Sequence, residues 1–118
     1  MSDREIEKTL QQNGLTAPRI TPDDVEAEIV AEYYFTAAEG AAGREVAPLS
    51  SDHVHESLHL LTFCVLVLKN GFTVTGFSVP VSPADFVAQI GRDVAREDAK
   101  NKIWPMLAYA LKDKLAAK

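Results

Sequence analysis

A chain of 118 residues, 47% hydrophobic and 25% charged, is long enough to bury one core without staples and too apolar for global disorder. Its one cysteine, Cys64, excludes an intrachain disulfide and fits a reducing compartment. The net charge of −5 is unevenly spread: residues 1–56 hold twelve acids and four bases (net −8), and residues 83–118 hold seven bases and five acids (net +2), a balance that argues against duplex DNA and leaves room for a local anion site.

Residues 1–20 read as a flexible arm and 21–118 as one α+β domain. Ser2 and Glu5 have capping-box spacing and predict a short helix over about 3–12, with Ile6 and Leu10 as a thin apolar stripe. The charged start Met1-Ser2-Asp3-Arg4-Glu5 is unlike a signal peptide, and no apolar run approaches membrane-helix length, so a cytoplasmic protein off the membrane is expected. Thr21-Pro22-Asp23-Asp24 combines a cap, a first-turn proline and two acids, and predicts a helix over about 22–31 with Val25 and Ile29 inward. Tyr33-Tyr34-Phe35-Thr36 then has strand composition, and 38–56 reads as a loop.

The apolar run Leu60–Leu68 predicts a strand covered on both faces. Asn70-Gly71 is the preferred pair for a two-residue hairpin turn with both φ positive, and Phe72–Val79 is the return strand. Gly76 marks either a bulge or a close approach. If Phe72 and Val74 point inward, Thr73 and Thr75 point to the other face, and Phe77 joins them unless Gly76 is a bulge. Ser82-Pro83-Ala84-Asp85 predicts another helix start, with Phe86, Val87, Ile90, Gly91, Val94 and Ala95 on one broad face. Pro105 either kinks the helix or begins a new one. The expected fold is a small antiparallel sheet built on a central hairpin, an N-terminal helix, and a long C-terminal helix or helix pair on one face. The sheet's other face needs cover, which predicts a homodimer or higher homo-oligomer.

No nucleophile–base pair, paired carboxylates or phosphate loop stands in credible context, so no enzyme and no cofactor are expected. Arg92, Arg96 and Lys100 form a basic row at i, i+4, i+8 that could hold a phosphate, while the adjacent acidic row Asp93 and Glu97 makes a solvated, salt-bridged face the plainer reading. Phe72, Phe77, Tyr33, Tyr34 and Phe35 could stack on a base, against the plainer reading as core. His53, His55 and His59 lack a partnering metal motif and read as exposed polar residues.

Several stretches resemble a family of small tailed-phage and prophage proteins. They are Arg19-Ile20-Thr21-Pro22, Ala31–Ala38, Leu61–Gly76 with its Asn-Gly-Phe hairpin, Ile90-Gly91-Arg92, Ala95-Arg96-Glu97-Asp98-Ala99 and Lys102-Ile103-Trp104-Pro105. The resemblance runs over about 19–115, and most members have no assigned role. The hairpin and following helix are also similar to phage anti-Thoeris sponge proteins, oligomers that sequester cyclic ADP-ribose-type or cyclic nucleotide signals. That resemblance implies a non-enzymatic protein holding a small nucleotide, with Arg92 and Arg96 on phosphate and Phe72 or Tyr34 on the base. The alternative is an accessory module that binds a host protein. Phe77 stands where family members usually carry glutamate, and Asp85 where they often carry asparagine. An acid at 85 repels phosphate, so both departures bear on any shared ligand site.

Overall fold

The structure is a computed structural model that describes residues 2–14, 17–43 and 54–118. Five α-helices and three strands follow in the order α1 (Asp3–Gln12), α2 (Pro22–Glu28), β1 (Ile29–Thr36), α3 (Ala37–Ala42), β2 (Thr62–Leu68), β3 (Thr73–Ser78), α4 (Ala88–Lys100) and α5 (Ile103–Ala116). The strands form one antiparallel sheet in the order β1-β2-β3. The fold is α+β, with the helices α2, α4 and α5 gathered on one face of the sheet.

Each of the first three helices begins with a capping box. Ser2 with Glu5, Thr21 with Asp24 and Thr36 with Glu39 exchange side-chain and backbone bonds of 2.8–3.2 Å. The third box creates α3, so the helix Ala37–Ala42 stands where composition predicts a loop. The second helix stops at Glu28 rather than 31, because Ile29 turns to extended backbone and begins β1.

The hairpin also differs from expectation. Gly71 has φ +88° and no other residue type has positive φ among the described residues, so Asn70 does not take the mirror-image turn. A three-residue loop results. Leu68 N–H donates to Phe72 C=O, Gly71 N–H to Leu68 C=O, and Asn70 Oδ1 accepts from Phe72 N–H.

Strand β2 has Thr62, Cys64, Leu66 and Leu68 buried against the helices and Phe63, Val65 and Val67 half-buried on the other side. The pairing of β2 with β3 is continuous through Cys64–Gly76, so Gly76 is not a bulge. It is a close approach: a Cβ built there would lie 2.2 Å from the Ala95 carbonyl oxygen and 2.3 Å from the Ala99 nitrogen. Helix α4 therefore lies directly on the β3 backbone through Ala95 and Ala99, while Gly91 lies against Thr62 of β2. The large residues expected to face the core, Val87, Ile90 and Val94, are exposed instead. The core consists of Val25, Cys64, Leu66, Leu68, Val74, Ala95, Ala99 and Ile103, flanked by Trp104 and Leu107.

The predicted helix start at Ser82 is spent on a single 3-10 turn, Pro83–Asp85, and α4 begins only at Ala88 without a side-chain cap. At its other end, Asn101 and Lys102 keep right-handed helical backbone and join α4 to α5 as one bent unit. Pro105 is the third residue of α5, in the first turn, where a missing N–H breaks no helical bond.

Candidate functional site

The basic row does not act as one surface. Arg96 reaches back to α2 and β1: its guanidinium donates to both carboxylate oxygens of Glu26 at 3.1 and 2.8 Å and to Glu32 at 2.9 Å. Lys100 Nζ adds contacts to Glu26 at 3.3 Å and Glu97 at 3.2 Å. The side-chain bond from Arg96 is the main reason that the Glu26 carboxyl is lowered to about 2, against the opposing effect of burial. The same pairing raises the Arg96 guanidinium's affinity for its proton. Three helix and strand segments are thus clasped by one half-buried network, and Arg96 and Lys100 have their charge neutralised within the fold.

Arg92 has a different setting. Its guanidinium makes a 3.1 Å bond to Gln89 on its own helix. It lines a cleft of about 50 Å³ with Tyr34, Thr36, Glu39, Thr62 and Phe86. Two predicted residues, Arg92 and Tyr34, therefore meet. Burial is the main cause that pushes the Tyr34 hydroxyl up to about 12, so it is a proton donor at neutral pH. Glu39 is held low by the backbone N–H of Thr36, with a smaller contribution from Arg92. Phe72 lies beside the hairpin, at the far end of β2, and is exposed. The cleft is small beside the roughly 300 Å³ or more of ordinary small-molecule sites. A larger cavity of about 260 Å³ lies between α1 and α2, lined by Arg4, Glu7, Lys8 and Asp23, but Arg4 pairs with Asp23 and Glu7 with Arg19.

The most extensive unusual surface is the sheet face opposite the helices. Register places Ala31, Tyr33 and Phe35 of β1 beside Phe63, Val65 and Val67 of β2, and these beside Thr73, Thr75 and Phe77 of β3. None of these nine positions is charged. Tyr33 is 59% and Phe77 54% exposed. Phe35 and Phe63 pack ring to ring at 5.6 Å, and α3, whose Gly40 lies against the Phe35 ring, shelters an end of this face. Phe77 sits here with Thr73 and Thr75, as strict alternation requires, whereas Phe72 lies outside β3.

His55 caps the 3-10 turn Glu56–His59 through Ser57, and His59 ends that turn. His53 lies outside the described residues. Among the described residues no group of three or more His, Cys, Asp or Glu side chains could hold a metal ion. Nor, among them, is any helix long and apolar enough to cross a membrane.

Residues 20–115 match the model of the phage protein (N4 Gp49/phage Sf6 gene 66) family. The chain belongs to that family. The match spans every element from α2 to α5, so the clasp, the cleft and the open sheet face all lie within the family region, and α1 lies outside it. No curated protein and no solved structure matches the chain.

Sequence reasoning missed Glu26 and Glu32 as the partners of Arg96, and Thr36, Glu39 and Phe86 as walls of the cleft. The Thr36–Glu39 capping-box spacing was the available signal for part of that wall.

Proposed function

We propose that this phage protein is a non-enzymatic accessory module that docks its open sheet face on a host protein. The observation that carries the reading is the face itself: nine uncharged positions on three strands, with aromatic rings at both edges, Tyr33 and Phe77 more than half exposed, and α3 sheltering one end. Exposed apolar patches of this kind mark interaction surfaces, and aromatic residues concentrate binding energy. The acidic N-terminal half would steer the protein toward a partner with basic residues around its apolar patch.

The test is affinity capture from infected host cells with the wild type and a Thr75→Lys, Phe77→Lys double variant, both changes on β3 and away from the β1 edge. Both positions are exposed, so the variant keeps its helical and strand circular dichroism. The reading requires a host protein that the wild type retains, that the variant loses, and that binds again when both are purified. Identical capture by the two proteins rejects it.

A second reading, sequestration of a small nucleotide immune signal, is favoured by the meeting of Arg92 and Tyr34 in one cleft. Phosphate would sit on Arg92, because Arg96 is committed to Glu26 and Glu32. An Arg92→Ala variant separates the two readings: it should abolish nucleotide binding in calorimetry and leave host-protein capture unchanged.

A further inference from the structure

The two edges of the sheet are not equivalent. On β3, Leu68–Phe72 pairing at the hairpin sets the parity, so Thr73, Thr75 and Phe77 direct their backbone groups away from β2. Two of these groups are already used: Phe77 N–H donates to Asp98 at 3.0 Å, and Thr75 C=O accepts from the Lys102 ammonium. The α4–α5 segment thus occupies part of that edge with side chains.

On β1, Ala37 N–H donates to Leu61 C=O, which fixes Phe35, Tyr33 and Ala31 as the residues bonded to β2. Glu32, Tyr34 and Thr36 therefore direct their backbone groups outward. Thr36 N–H is taken by Glu39 at 3.0 Å. No side chain of a described residue takes the outward groups of Glu32 or Tyr34 in the way that Asp98 and Lys102 take those of β3.

We propose that β1 is an assembly edge, on which β1 of a second copy of this chain pairs antiparallel about a twofold axis through Tyr33. The residues select both the partner and the register. An antiparallel strand can pair with itself, and centring on Tyr33 sets Glu32 opposite Tyr34 of the second copy, so the outward groups of both residues are satisfied twice over. Centring on Glu32 would set Tyr34 opposite Val30, where the register of β1 shifts, and centring on Tyr34 would require the Thr36 N–H that Glu39 already holds. In the Tyr33 register the open face stays uncharged across the junction: Tyr33 meets Tyr33, and Ala31 meets Phe35.

Pairing also brings the second copy alongside the Tyr34–Arg92 cleft, which lies on the same edge. The inference stands independently of the docking reading, since it uses the backbone edge rather than the face.

Cysteine crosslinking of the full chain tests it. In the proposed register Tyr33 is a non-hydrogen-bonded pair with its own copy, at a Cα separation near 4.5 Å that suits a disulfide. Native Cys64 is fully buried and does not compete. Under copper–phenanthroline oxidation, Tyr33→Cys should give a covalent dimer at least about tenfold faster than Phe77→Cys, and native mass spectrometry of the wild type should show the dimer mass. A monomer at tens of micromolar, or linking at 77 as fast as at 33, overturns the proposal.

Discussion

The two faces of the sheet differ in how α4 and solvent meet them. The covered face meets α4 through Gly76, Gly91, Ala95 and Ala99, residues with little or no side chain. The uncovered face carries Tyr33, Phe35, Phe63 and Phe77, and the outer side of α4 carries Val87, Ile90 and Val94. Small residues let helix backbone and strand backbone meet at contact distance. Larger residues on the open face and on the outer side of α4 remain exposed, while the core itself is filled by Leu66, Leu68 and Ile103.

The largest expected effect breaks the tight face. Gly76→Ala puts a Cβ into the Ala95 carbonyl, and backbone on both sides leaves nowhere to relax. Urea denaturation should show a loss of about 3 kcal/mol or more, and Gly76→Val should leave no soluble protein. A cost below about 1 kcal/mol would show that α4 lifts easily and that the contact is not what defines this face.

A smaller effect concerns the clasp beside that face. Glu26→Gln removes the carboxylate that Arg96 and Lys100 share, and Glu32 still pairs Arg96. The group is partly exposed, so the expected cost is about 1 kcal/mol after solvent screening. The pH dependence has a defined sign. Glu26 titrates near 2 in the fold and near 4.5 when free of its partners. Its contribution is therefore fully present above about pH 4.5 and is lost as pH falls from there toward 2. The Glu26→Gln variant should show a flatter decline across that window in urea midpoints measured at several pH values. Parallel wild-type and variant curves would remove the clasp from the account.

The smallest stability effect is expected on the open face. Phe77→Lys should change the unfolding free energy by no more than about 0.5 kcal/mol, because the side chain is more than half exposed and lies away from the β1 edge. A loss of more than about 2 kcal/mol would mean that this face, too, holds the fold, and the contrast between the faces would fail.

Much of the architecture was legible in the residues. Thr21-Pro22-Asp23-Asp24 does start a helix, Gly76 is a close approach, and Phe77 shares its face with Thr73 and Thr75. The errors have physical causes. Ser82-Pro83-Asp85 carries a helix-start pattern that a single 3-10 turn satisfies as well as an α-helix does. On α4, Gly91-Ala95-Ala99 and the aliphatic row are both spaced at helical period, and hydrophobicity alone favours the larger residues; only the glycine on the facing strand shows that the small ones must pack. For the candidate site, Arg96 lies 70 residues from Glu26 and 64 from Glu32, so counting neighbours along the helix could not reveal that its charge was already matched. Tyr34 and Arg92 meet because register brings Tyr34 to the helix side of β1, and that register depends on a shift between Ile29 and Ala31 that no local residue pattern announces.

The side chains that hold part of the β3 edge have a consequence for stoichiometry. A sheet with two open edges can add strands at both ends indefinitely, and the product is a fibre. Asp98 and Lys102 already hold two groups of the β3 edge. Were β1 to pair as proposed, that hindrance at β3 would favour a closed pair over an open polymer.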